Sequence, residues 1–551
     1  MASSKIVIYQ IFTRLYSNRN TTRKENGSIV ENGCGKMNDF TPSTLKKIRE
    51  MGVSHIWYTG IIRHATQTDY TAYGIPKNHP AIVKGKAGSP YAITDYYDVD
   101  PDLAQDVEMR MQEFEQLVER THKAGMKVII DFVPNHVARQ YHSICKPEGV
   151  KDLGEEDNPQ IGFDPQNNFY YCPGERFTPY FDLYHGEVEP YIEEPAKATG
   201  NDCFHNAPGM NDWYETAKLN YGVDYYAGHV GHFNPIPNTW SKMTDILLFW
   251  AKKGIDGFRC DMAEMVPAAF WQWATDKVKF IHPQTIFIGE VYNPAEYRNY
   301  LAAGFDYLYD KVGMYDTLRE VIRGCQSTSA ITGAWQATDD IRDHMLYFLE
   351  NHDEQRIASS FFAGDAQKGV PGLVVSALLQ KNPLMIYFGQ EYGERGMDKE
   401  GFSGNDGRTT IFDYWSVSTM TRAVERKLTA QEKRLKHIYD KVMHIAATEK
   451  AIDKGDCFDL MYVNGQYHQQ YAFIRKAGSE VLLIVANFAD MSQSVHVTIP
   501  GHAFDYLNMK EKSVSASDLL SDETLKLSLK RDESVLVNVQ ANSAVVLKFK
   551  A

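Results

Sequence analysis

Through the first 450 residues one pattern recurs. Apolar positions at helical spacing run into a glycine, and a short, almost wholly apolar stretch follows. Leu45 to Met51 leads to Gly52 and then to Val53-Ser54-His55-Ile56-Trp57-Tyr58. Phe114 to Ala124 leads to Gly125 and Met126-Lys127-Val128-Ile129-Ile130. Ile246 to Lys253 leads to Gly254 and Ile255-Asp256-Gly257-Phe258-Arg259. Each reads as a helix, a left-handed glycine cap and a buried strand. Strand after helix after strand means a parallel sheet. Strand candidates fall at 5–12, 54–59, 127–133, 255–261, 285–290, 305–309, 345–350 and 383–388. Eight such units predict an α/β fold, a closed (β/α)8 TIM barrel, whose active site sits at the C-terminal ends of its strands.

Two stretches break the repeat. Residues 137–220 are rich in Gly, Pro, Asn and aromatics, and are too long for a structureless loop, so a small inserted domain is expected. The first βα loop, 13–41, carries Asn18, Asn20, Asn26, Asn32 and Asp39. After the eighth strand, Leu435, Ile438, Tyr439, Val442 and Ile445 mark an amphipathic helix. Beyond about residue 455 the period changes to two, as in Val495, Val497, Ile499 and Val535, Val537, Val539. With turns such as Lys476-Ala477-Gly478-Ser479, this predicts a terminal antiparallel β-sandwich. The expected organisation is barrel over 1–136, inserted domain over 137–220, barrel again over 221–450, and sandwich over 451–551.

Polar residues gather at the ends of four predicted strands. The blocks are Asp131-Phe132-Val133-Pro134-Asn135-His136, Gly257-Phe258-Arg259-Cys260-Asp261, Gly289-Glu290-Val291 and Glu350-Asn351-His352-Asp353. Capping alone does not explain carboxylates collecting on one face. Retaining glycosidases need a carboxylate nucleophile and a carboxylic acid roughly 5–5.5 Å apart. Asp261 and Glu290, on adjacent strands about 4.8 Å apart, suit that spacing. Arg259 lies two residues before Asp261 and so points to the same face, where a guanidinium would keep a carboxylate ionised. Asp353 is placed to brace a sugar as positive charge develops, and His136 and His352 to hydrogen-bond its hydroxyls. Taken singly, Arg259–Asp261 is more often a structural ion pair, and Asn351-His352-Asp353 a loop turn or a helix cap. Their joint occurrence on successive strand ends favours chemistry.

Composition narrows the picture. The 551 residues suffice for a large barrel and a smaller module, and 43% hydrophobic content supplies a core. No apolar run reaches the length of a membrane span. A net charge of −13 argues against nucleic acid as partner. Seven scattered cysteines, never as C-x-x-C, argue against a disulfide framework or a zinc cluster. Met1-Ala2-Ser3-Ser4 runs straight into the first strand without a secretory signal. That leaves the compartment open, either cytoplasm, or periplasm or secretion after loss of a leader. The 33 tyrosines are compatible with a site that stacks on sugars.

The four blocks resemble, in order, the signature blocks of the α-amylase family, glycoside hydrolase family 13. Ala217-Lys218-Leu219-Asn220, Tyr91-Ala92-Ile93-Thr94-Asp95-Tyr96-Tyr97 and Pro383 to Glu391 are similar to its auxiliary blocks. The resemblance runs from the first strand to the sandwich. It implies Asp261 as nucleophile, Glu290 as general acid/base and Asp353 as transition-state stabiliser. Arg259, His136, His352 and Tyr91 would line the reacting sugar's subsite. It also raises calcium as a cofactor, because Asn135 matches a calcium ligand of the family. The support stops there. Many calcium-dependent members carry a histidine four residues after the nucleophile, and this chain has Met265, preceded by Glu264. The first βα loop lacks the alternating Asp-x-Asn-x-Asp spacing of a calcium loop. No other cofactor is expected. Residues Gly401 to Trp415, with Asp406, Arg408, Phe412, Tyr414 and Trp415, are expected at the rim of the site.

The implied activity is hydrolysis, with retention, of α-1,4-glucans or maltooligosaccharides. A 4-α-glucanotransferase and an exo-acting α-glucosidase share the same inner residues and stay open. A non-catalytic relative would lack one of the three carboxylates, and all three are here.

Overall fold

The computed structural model describes residues 5–183 and 188–551. The leader reading at residues 1–4, and residues 184–187 of the inserted segment, lie outside the described residues. Eight parallel strands close a barrel: β1 (Val7–Phe12), β2 (His55–Thr59), β3 (Lys127–Phe132), β4 (Gly257–Cys260), β5 (Ile286–Gly289), β6 (Tyr307–Tyr309), β7 (Met345–Phe348) and β8 (Leu384–Tyr387). Each pairs with its sequence neighbours and β1 pairs with β8. All eight lie within the predicted spans. The helices α1 (Pro42–Glu50), α2 (Arg110–Lys123) and α3 (Asn238–Lys252) precede β2, β3 and β4. Gly52, Gly125 and Gly254 follow them at φ +96°, +76° and +88°, the left-handed conformation their caps require.

The barrel interior explains why polar residues gather at one end. Ile8, Ile129 and Ile288 belong to a buried inner layer with Trp57, Tyr309, Leu346, Phe348 and Met385. Two residues further along the same strands, on the same face, stand Gln10, Asp131 and Glu290. One step along each strand thus converts an apolar plug into a polar floor. Gly289 lets β5 approach closely, because a Cβ there would lie 2.9 Å from both Phe305 and Leu308.

The inserted segment leaves the barrel through a short strand, His136–Ala138, that pairs antiparallel with Thr216–Lys218 on its return. Between them, Arg139 is buried and organises the segment. Its guanidinium meets Glu193 at 2.7 Å, donates to the Thr199 hydroxyl and lies 3.9 Å over the Phe177 ring. A small core of Ile82, Cys172, Phe177, Ala196 and Tyr214 surrounds it.

The predicted amphipathic helix is Ala430–Thr448, which buries Leu435, Tyr439, Val442 and Ile445. Beyond it lies a six-stranded antiparallel sheet with Glu480–Asn487 and Ser543–Lys550 at its centre, and Gln470–Ala477 joins Glu480–Asn487 at the expected turn, Gly478 being at φ +59°. A two-stranded ribbon, Gln493–Thr498 with Ser534–Val539, completes the terminal module. It buries Val495, Val497, Val535 and Val537. No helix among the described residues is long and apolar enough to cross a membrane.

Candidate active site

Arg259 is the hub. It points inward from β4, 1% exposed, with Trp57, Tyr91 and Tyr309 rings 5.1 to 5.6 Å from its guanidinium carbon. Nη1 lies 2.8 Å from Asp261 Oδ1 and 3.6 Å from Asp131 Oδ1, and Nη2 lies 2.7 Å from Glu290 Oε2. The Tyr309 hydroxyl accepts from Nε at 3.2 Å. Strand register makes this possible, since Arg259 is paired with Asp131 of β3 on one side and Ile288 of β5 on the other.

Glu290 receives donors on both oxygens. Oε2 accepts from the Met262 backbone N–H at 2.9 Å and faces the guanidinium, while Oε1 accepts from the Tyr292 hydroxyl at 2.5 Å. Trp57 donates its indole N–H to Asp131 Oδ2 at 2.9 Å. Tyr91 stacks on His352 with ring centroids 5.2 Å apart. His352 Nε2 lies 2.6 Å from the Tyr91 hydroxyl and 3.0 Å from Asp353 Oδ2. Gln10 Nε2, 2.9 Å from Nδ1, donates there and leaves the ring proton on Nε2. Asp353, with 41% of its side chain exposed, is the most open of these carboxylates.

The electrostatics follow from four carboxylates around one guanidinium. Burial pushes Asp131 up to about 6, against the pull of Arg259. Asp353 is pushed up to about 7 by desolvation in the cleft and by Glu290. Asp261 is driven upward by burial and by Glu290 and Asp353, with Arg259 opposing. With one guanidinium among them, Asp131, Asp261 and Asp353 all sit above the ordinary carboxylate range. Both histidines are neutral there. Burial, then Lys218 and Lys84, lowers His136 to about 3, and burial with Arg259 takes His352 well below its usual range.

Of the residues expected at the site, Asp261, Glu290, Asp353, Arg259, His352 and Tyr91 come together. His136 joins them through the backbone of Tyr91, and its ring packs 5.1 Å from Trp213. Asn135 lies behind His136, its Nδ2 3.2 Å from the His136 Nδ1, and faces the inserted segment. Its Oδ1 accepts from the Lys218 ammonium at 2.6 Å, and its Nδ2 donates to the Gly200 carbonyl at 2.7 Å. Glu264, beside Met265, is occupied elsewhere, accepting the backbone N–H groups of Tyr292 and Asn293.

The rim segment divides in two. Arg408 Nε donates to the Asp353 carbonyl at 2.6 Å and pairs with Asp406, so these two border the cleft. Tyr414 and Trp415 are buried instead, the Tyr414 hydroxyl donating to Asp102. The asparagines of the first βα loop hold that segment down. Asn18 donates to the Trp415 carbonyl and Asn32 to the Tyr414 carbonyl.

Several contributors escaped the sequence reading. Gln10 had a signal, a lone amide in an apolar first strand. Trp57, Tyr309 and Tyr292 had none, because nothing along the chain marks which aromatics face a guanidinium or a carboxylate. Arg356 is fully buried, donates to Glu350 Oε2 at 2.9 Å and to the Phe388 carbonyl, and so anchors the fourth block to β8.

Comparison with known proteins agrees with this architecture. The alpha amylase catalytic domain model matches residues 10–451, and the alpha amylase C-terminal all-beta domain model matches residues 462–550. Alpha-amylase 3 of Dictyoglomus thermophilum is 24% identical over 422 residues, 72% of this chain and 74% of that protein. The cyclomaltodextrin glucanotransferase of Geobacillus stearothermophilus is 23% identical over 508 residues, 88% of this chain and 60% of that protein. The solved α-amylase of Geobacillus thermoleovorans, complexed with acarbose, superposes with a TM-score of 0.65 at 20% identity, covering 99% of this chain and 98% of that one. A catalytic-domain match over most of the chain, on a barrel closed in this order, means that the chain belongs to the α-amylase family and is a glycoside hydrolase.

Proposed function

We propose that this enzyme cleaves α-1,4-glucans or maltooligosaccharides with retention, through a covalent glycosyl-enzyme intermediate. The observation that carries the reading is the placement of Arg259 between Asp261 and Glu290. The guanidinium opposes the upward push of burial on Asp261 and aims its carboxyl group into the cleft, where the ionised form attacks the anomeric carbon. As that bond forms, the glycosidic C–O bond breaks and the leaving oxygen takes a proton from Glu290. Water, deprotonated by Glu290, then attacks the same carbon and releases Asp261.

Glu290 is held from both sides for this role: Oε2 accepts from the Met262 N–H and lies beside the Arg259 guanidinium, and Oε1 accepts from the Tyr292 hydroxyl. Asp353 stabilises the oxocarbenium-like sugar, with its orientation fixed by His352.

The relatives include both an amylase and a glucanotransferase, and both outcomes use the same intermediate. Incubation with maltoheptaose, with Asp261→Asn and Glu290→Gln as blanks, tests the reading. Shorter maltooligosaccharides from the wild type, and turnover reduced by several orders of magnitude in both variants, are expected. Products longer than the substrate would make the enzyme a transferase. Near-normal turnover in either variant would sink the site assignment.

A further inference from the structure

The family resemblance brings a divalent cation to Asn135, and this structure has a different cation there. Lys218 comes from the returning strand of the inserted segment, opposite His136 in the antiparallel pair. Its side chain is 2% exposed. Nζ lies 2.6 Å from Asn135 Oδ1 and 2.6 Å from Asp202 Oδ1, with the Tyr225 ring 5.4 Å away. We infer that the Lys218 ammonium is the resident cation of this position: it ties the inserted segment to the barrel and seats His136, and the enzyme needs no calcium there.

Three observations carry this. First, the partners suit an ammonium. Calcium takes about six to eight oxygens at 2.3–2.6 Å. Among the described residues, two side-chain oxygens and an aromatic face surround the position, and an aromatic ring attracts an ammonium but offers no oxygen. Second, the position is filled. A divalent ion among these oxygens would meet a buried positive charge already bonded to both. Third, the contacts act as a clamp. Asn135 is held on one side by Lys218 and on the other by the Gly200 carbonyl, and its neighbour His136 is held in register with Lys218. Lys218 is therefore a positioning residue. Its ammonium is engaged by Asn135 and Asp202, and its strand fixes the backbone that presents His136.

The test uses the full chain. Thermal unfolding of the wild type in chelator and in excess calcium should give the same Tm, and gel-filtered protein should carry no stoichiometric calcium. Lys218→Met should unfold at lower temperature with no calcium response. It should also raise KM about tenfold with a smaller change in kcat, as loss of one well-placed subsite contact would. Lys218→Asp removes the ammonium and adds a carboxylate, and its Tm should rise with calcium, with one ion bound by calorimetry. Bound calcium in the wild type, or a Tm that falls on chelation, would overturn the inference. So would a Lys218→Met protein with wild-type Tm and KM, or a folded Lys218→Asp protein indifferent to calcium. The unfolding arms need no turnover, so they stand even if the proposed substrate is wrong.

Discussion

Arg259 reaches Glu290 on the neighbouring strand as closely as Asp261 on its own, at 2.7 and 2.8 Å. One planar guanidinium thus sets the relative position of the two carboxylates. A lysine ammonium is a point charge and cannot occupy both directions at once. Arg259→Lys is expected to lower kcat/KM by about two to four orders of magnitude, the rate equivalent of breaking a buried charge pair at about 3–5 kcal/mol. Steady-state kinetics on maltoheptaose, with Tm as a control for folding, measure it. A loss below tenfold would mean that Arg259 is scaffolding only.

Tyr292 donates its hydroxyl to Glu290 Oε1 and so fixes the direction in which that carboxyl group points. Tyr292→Phe removes this donor and should lower kcat about ten- to a hundredfold with KM little changed, the rate equivalent of one charge-assisted hydrogen bond. A wild-type kcat in the folded variant would mean that Tyr292 does not position Glu290.

Asp353 gives a stability prediction with a definite sign. Its folded pKa is raised to about 7, whereas an unfolded aspartate titrates near 3.9. The fold favours the protonated form, so this contribution is complete below about pH 4 and is lost as pH rises through about 7. Asp353→Asn, which cannot ionise, should be more thermostable than the wild type at pH 8. The gain should be modest, about 2–4 °C, because the side chain is partly open to water. The two proteins should converge at pH 4, while activity falls steeply throughout. An equal or lower Tm at pH 8 would refute the argument.

Arg356 and Glu350 form a buried pair at 2.9 Å, 0% and 2% exposed. Arg356→Met strands the carboxylate and should cost about 3–5 kcal/mol, read from denaturant unfolding. Adding Glu350→Gln removes the stranded charge and should recover part of the loss. If the double variant is no more stable than Arg356→Met, the pair is not what holds the fourth block.

Much of this molecule was legible in the chain. Period and glycine caps located all eight barrel strands, because a buried parallel strand must be apolar for most of its length and a helix must end somewhere. The three carboxylates, Arg259, His352 and Tyr91 were legible because a strand end is where an apolar run must stop. The rim was half legible. Arg408 borders the cleft as expected, but Tyr414 and Trp415 turned inward, since loop residues have no period to say which way they face.

By itself, then, the sequence determined the barrel, the end of it that bears chemistry, and the set of carboxylates there. These depend on local alternation and on the two-residue step from Ile129 to Asp131 and from Ile288 to Glu290. The tertiary structure alone decided that Arg259 serves two carboxylates, that Tyr292 reaches Glu290, and that the Asn135 amide oxygen meets Lys218, 83 residues away. Those relationships depend on strand register, barrel closure and the return of a long insertion. Periodicity carries information along one strand, whereas charge pairing is settled between strands that meet only after the chain has closed.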